Sequence, residues 1–140
     1  MQVHTTNYTN TLITVAEDCP VLTGTIPPAE RAGKKTIAGL QYAMLCARPY
    51  QKTSDEVLFA VHAQRKAIPE TERRHARKQF FSKGQACMRC SPLTKRFGWG
   101  IHFNEAGKMA LIGMETPAYQ QMLADDKLQK VKAMRSSRKT

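Results

Sequence analysis

The spacing of apolar positions changes period several times along this chain, and each change marks an element. Thr11-Leu12-Ile13-Thr14-Val15 is a short β-branched run and predicts a strand. Cys19-Pro20 and Ile26-Pro27-Pro28 punctuate a loop that continues to Gly33. From Thr36 to Ala47, Ile37, Leu40, Met44 and Leu45 recur at i, i+3, i+7 and i+8, which is one face of a helix, and Pro49 stops it. Between Asp55 and Gln64, Val57, Phe59, Val61 and Ala63 alternate with Leu58, Ala60 and His62. That period predicts a strand, although Ser54 with Asp55 and Glu56 would also suit a helix cap.

Pro69 to Ser82 reads as a helix, with Pro69 first, Glu70 and Glu72 at the positive end of its dipole, and Lys83-Gly84 as its stop. Ser91-Pro92 gives no sign of a following helix. Phe97 to Asn104 and Lys108 to Met114 form a hairpin turning at Gly107. Thr116 caps a helix that opens with Pro117 and buries Tyr119, Met122 and Leu123, and Asp125-Asp126 starts a second short helix using Leu128, Val131 and Met134. The expected fold is α+β: one domain over residues 1–134, a small, mostly antiparallel sheet with helices packed on one face, and a basic, frayed tail at 135–140.

A length of 140 residues, with 41% hydrophobic and 24% charged positions, suffices for one real core without metal or disulfide staples. No apolar run nears the ~20 residues that span a bilayer. Met1 to Asn10 is polar and lacks Lys and Arg, so it does not read as an export signal. Four Cys in such a chain are expected to be thiols, and the expected location is the cytoplasm, with no membrane partner.

Charge changes the picture more than composition does. The net charge is +11, yet residues 1–30 hold no Lys or Arg, so all 22 bases fall in the remainder. Ten lie between Arg65 and Arg96, opposed by Glu70 and Glu72, and six follow from Lys127 onward with no acid. Such a field attracts polyanions over roughly a Debye length, ~8 Å at physiological salt. Nucleic acid or a phosphate-bearing small molecule is the partner it suggests.

The densest chemistry lies in Phe80 to Phe103, which contains the single Trp, a CxxC and turn-forming Gly and Pro. Lys83, Lys95 and Arg96 flank a turn-rich segment whose amides could cradle an anion, with Trp99 beside them to stack on a base. Arg73, Arg74, Arg77 and Lys78 share one arc of the 69–82 helix and would steer a polyanion, or else form a solvated face. Phe97, Trp99, Ile101 and Phe103 read equally as the inward side of a strand.

Cys87 and Cys90 supply half a zinc site, but His75, His102, Cys19 and Cys46 would have to converge from separate segments to complete it. The same two thiols could serve redox chemistry, and either could pair with His102 as a nucleophile and base. Asp55-Glu56 and Asp125-Asp126 sit where elements begin, so capping explains them. No GxGxxG, P-loop or HExxH occurs, and no cofactor or metal is implied.

Six segments carry a resemblance: His4-Thr5-Thr6-Asn7-Tyr8, Ala16-Glu17-Asp18-Cys19-Pro20, Thr53 to Phe59, Phe80 to Gln85, Ser91 to Gly100, and Lys132-Ala133-Met134-Arg135-Ser136. Together they resemble a family of small, mostly bacterial proteins known as a domain of unknown function. The resemblance runs from His4 to about Ser136 and implies one self-contained domain. It brings no activity, cofactor or site residue. It also does not demand a thiol at Cys90, and Phe97 stands where a Tyr is common. The leading expectation is a binding module for nucleic acid or a nucleotide, the rival a small Cys/His enzyme, and a third a self-associating interaction protein.

Overall fold

Strand β1 (Thr11–Thr14) lies inside a four-stranded sheet ordered β5-β4-β1-β6, with β4 at Trp99–Phe103, β5 at Met109–Gly113 and β6 at Gln129–Lys132. The computed structural model describes residues 3–137, so the expectations for Met1, Gln2 and the last three residues lie outside the described residues. β4 is antiparallel to both neighbours, and β6 runs parallel to β1 with Thr11 opposite Gln129. A separate hairpin joins β2 (Glu30–Arg31) to β3 (Lys34–Lys35). The helices are α1 (Ile37–Ala47), α2 (Ser54–Arg65), α3 (Arg73–Phe80), α4 (Pro92–Arg96) and α5 (Pro117–Ala124). The α+β class and the mostly antiparallel sheet follow the sequence pattern.

Strand alternation assigns the faces. Ile13, Ile101, Phe103 and Met109 meet Leu40, Leu45, Val57, Val61 and Leu93 from α1, α2 and α4 in the main core. Each fully buried aliphatic side chain there contributes about 1.5–3 kcal/mol. On the reverse face Leu12 packs with Tyr119 of α5 and Leu128. Tyr119 lies over Gly100, and its hydroxyl accepts from the Val15 amide at 2.9 Å. Met122 is half-buried and Leu123 stays 38% exposed, so Tyr119 carries most of the α5 contact.

Three local expectations are corrected. Residues 54–65 are helical, not a strand. Val57 and Val61 (i, i+4) enter the main core while Phe59 and Ala63 (i, i+4) enter a second core with Phe81. Two interleaved helical pairs facing two cores mimic alternation. The start is fixed by a capping box: Thr53 Oγ1 accepts from Glu56 N–H at 3.3 Å and the Glu56 carboxylate accepts from Thr53 N–H at 2.9 Å.

Ser91-Pro92 does open a helix. Ser91 Oγ accepts from Leu93 N–H at 3.1 Å and Pro92 takes the first helical position, where a missing N–H costs nothing. Residues 125–134 form no second helix. Asp125 makes a side-chain turn with Lys127 N–H at 2.9 Å, and the chain then extends as edge strand β6, with Val131 and Ala133 reaching the main core. Lys130 and Lys132 are typical of an exposed edge. The 69–82 segment begins as a short 3₁₀ turn at Glu70–Glu72 before α3.

Candidate anion-binding groove

Three basic segments converge in front of α1. The β2–β3 hairpin turns through Ala32 (φ 54°) and Gly33 (φ 77°), and positive φ at both central residues is what a two-residue type I′ turn requires. Its base is tied to α1: Thr36 N–H donates to the Ala29 carbonyl at 3.0 Å, and Thr36 Oγ1 donates to the Pro28 carbonyl at 2.6 Å. The same oxygen caps α1 by accepting from Gly39 N–H at 2.9 Å. Arg31, Lys34 and Lys35 are thereby held beside the start of the helix.

Arg65 and Lys66 close α2 at its carbonyl end, where positive charge is favoured. Arg96 ends α4. These side chains line two adjoining open hollows of about 590 and 610 Å³ that share Lys34, Lys35 and Arg65. Ile37, Leu40 and Phe97 give the groove apolar walls.

The groove cations make no close ion pair, although Glu30 stands opposite Lys35 in the hairpin. Among the described residues, the ion pairs within 4.0 Å are Arg73–Glu70 at 3.9 Å and Lys132–Glu17 at 3.7 Å. None of the six groove cations has one. Like charges gathered in this way repel, and a bound anion relieves that repulsion.

The residues singled out in the sequence fall in several places. Arg96 lines the groove, while Lys83 is exposed after α3 and Lys95 half-buried on α4, and neither lines it. Arg74, Arg77 and Lys78 line a different hollow of about 700 Å³ with Val3 and Phe81. Arg73 is turned back, donating to the Ile68 carbonyl at 3.1 Å. Trp99 is half-buried: its N–H donates to the Thr25 carbonyl at 2.9 Å, Gly24 lies against its ring, and Tyr42 packs at 5.7 Å.

Cys87 and His102 lie on opposite sides of the sheet. His102 sits on the reverse face, its Nδ1 2.8 Å from the Tyr50 hydroxyl, and burial lowers its pKa from 6.5. Cys87 Sγ instead lies 3.4 Å from the hydroxyl of Tyr8, whose ring packs on Phe103 in the main core. Burial first, and then the Cys87 hydrogen bond, push Tyr8 up to about 12. Among the described residues, no three His, Cys, Asp or Glu gather as a metal site, and no helix is long and apolar enough to cross a membrane.

Sequence reading missed Arg31, Lys34, Lys35, Arg65 and Lys66. The available signal was Arg31-Ala32-Gly33-Lys34-Lys35, a basic run around a turn dipeptide.

The six segments that carry the family resemblance bond to one another. Asp55 accepts from Thr5 Oγ1, Thr6 N–H and Thr6 Oγ1, each at 2.7 Å, and His4 N–H donates to the Phe81 carbonyl at 2.9 Å. Ala16 N–H donates to the Thr94 carbonyl at 3.0 Å, and the Asp18 carboxylate accepts from Ser136 N–H at 2.9 Å. Fold and surface together define a small, strongly basic α+β domain with an open cationic groove. As its motifs imply, the chain belongs to a family of unknown function, DUF6157, which it matches over residues 3–139. Comparison with curated proteins and with solved structures gives no match.

Proposed function

We propose that this domain binds a phosphate-bearing ligand, nucleic acid or nucleotide, in the groove formed by Arg31, Lys34, Lys35, Arg65, Lys66 and Arg96. The observation that carries this reading is the convergence of six cations from three segments with no carboxylate within 4.0 Å among the described residues. The exposed Ile37 and the half-buried Phe97 offer an apolar surface for a sugar or base edge. Phe97 takes the aromatic role first expected of Trp99. The Arg74/Arg77/Lys78 surface adds to the long-range field.

Anisotropy of a labelled mixed-sequence oligonucleotide, read at two salt concentrations, tests the proposal. Affinity should fall with salt by about 0.7 log units per log unit of salt for each cation engaged on a single strand. Lys34→Glu with Lys35→Glu should abolish binding, while Arg74→Glu with Arg77→Glu should weaken it only modestly. Competition by a nucleoside triphosphate against inorganic phosphate separates nucleotide recognition from simple anion binding. Loss confined to the α3 variants would move the site, and no binding of any of these probes at low salt would end the proposal.

A further inference from the structure

Cys87 and Cys90 flank a single 3₁₀ turn, Met88–Cys90, closed by Cys90 N–H donating to the Cys87 carbonyl at 3.0 Å. Such a turn holds its first and fourth Cα atoms within ~7 Å. Cys87 caps the turn with extended backbone (φ −82°, ψ −176°), and Cys90 is the last residue of the turn. A disulfide needs Cα atoms about 4.4–6.8 Å apart. The closed turn therefore brings the two Cα atoms into the range that a disulfide spans. It is also clamped: Met88 is fully buried, Arg89 Nε donates to the Lys132 carbonyl at 2.6 Å, and the Arg89 carbonyl accepts from Met134 N–H at 2.8 Å.

The two thiols differ in setting. Cys90 is exposed and can meet a reagent, whereas Cys87 is half-buried beside the Tyr8 hydroxyl. Both sulfurs lie close enough to raise the Tyr8 pKa. When Cys87 is ionised, the Tyr8 hydroxyl can only donate to it, so the hydroxyl holds the attacking sulfur in place. The remaining thiols, Cys19 and Cys46, belong to other segments.

We propose that Cys87 and Cys90 form a reversible dithiol–disulfide site that exchanges with low-molecular-weight disulfides, independently of the groove. The Cys90 thiolate attacks one sulfur of RSSR, forming Cys90–S–SR and releasing RS⁻. The Cys87 thiolate then attacks the Cys90 sulfur, breaking the mixed disulfide and releasing a second RS⁻. Two electrons pass from the protein pair to RSSR, and the two thiol protons leave on the two RSH products.

The test uses oxidised glutathione on the full chain, read by intact mass and by tryptic mapping. The native protein should lose two hydrogens, with peptide Gly84–Arg89 linked to Cys90–Lys95. A glutathione adduct should persist on Cys46 but not on Cys90. In Cys87→Ser the adduct should persist on Cys90, and Tyr8→Phe should slow ring closure several-fold while sparing the first step. Adducts that remain unresolved on Cys90 in the native chain, or a crosslink to Cys19 or Cys46 instead, would overturn the proposal. Mapping of the native protein decides the matter even if a variant fails to fold.

Discussion

The indole N–H of Trp99 donates to the carbonyl of Thr25 at 2.9 Å, and the far edge of its ring rests on Gly24. The single tryptophan thus fastens the 19–28 loop to β4. A Cβ at position 24 would stand 2.9 Å from two ring atoms, with Tyr42 also packed on the indole. Gly24→Ala should cost about 1–3 kcal/mol through overpacking and shift the tryptophan emission to longer wavelength. Urea unfolding followed by fluorescence measures both, and an unaltered midpoint would mean the loop moves away freely.

The Asp55 carboxylate holds the N-terminal segment through Thr5 and Thr6. Hydrogen bonds to a charged group are worth about 1.5–3 kcal/mol each and are not additive. Asp55→Ala should therefore destabilise the domain by about 3 kcal/mol. Hydrogen exchange should show residues 4–8 opening first. A loss under about 1 kcal/mol would show that this carboxylate does not anchor the segment.

Glu56 links stability to acid. The Thr53 N–H, chiefly, holds its carboxyl below 4.5, with Lys108 and Lys52 assisting. The unfolded chain therefore binds the proton more readily. The stabilisation is complete above 4.5 and is lost as pH falls through the lower folded value. Glu56→Gln should flatten this part of the acid limb in a stability–pH curve. Thr53→Ala should cost about 1 kcal/mol at neutral pH.

His102 acts in a higher window with the same sign. Burial disfavours its cation, so the unfolded imidazole protonates first. Its contribution is complete above 6.5 and erodes as pH drops below that through the folded value. His102→Phe should reduce the slope of stability between about pH 5 and 7. Titration of the imidazole by NMR should place its midpoint below 6.5.

Much of the sheet was legible because local and tertiary signals agreed there. β1 and the β4–β5 hairpin are β-branched or turn-bounded, and α1 and α5 carry one apolar face with a threonine cap. The strand reading of α2 failed because that helix is shared between two cores, so its apolar residues fall on two sides. β6 was obscured because Leu128 and Val131 are three apart and serve opposite faces of the sheet.

The groove was harder still. Arg31, Arg65 and Arg96 are distant in sequence, and only the packing of the hairpin against α1 brings their segments together. Trp99 drew attention because it is unique, yet its N–H and ring are already engaged within the fold. The segments that mark the family, apart from Arg96, supply inter-segment bonds rather than groove cations.

The parallel pairing of Thr11 with Gln129 has a kinetic cost. A nascent chain cannot finish its sheet until Gln129–Lys132 has been synthesised, so β1 waits with an open edge while everything between is made. Non-local closure of this kind slows folding and leaves that edge exposed to aggregation in the interim. Shortening the chain before residue 129 should therefore yield inclusion bodies rather than a smaller working domain.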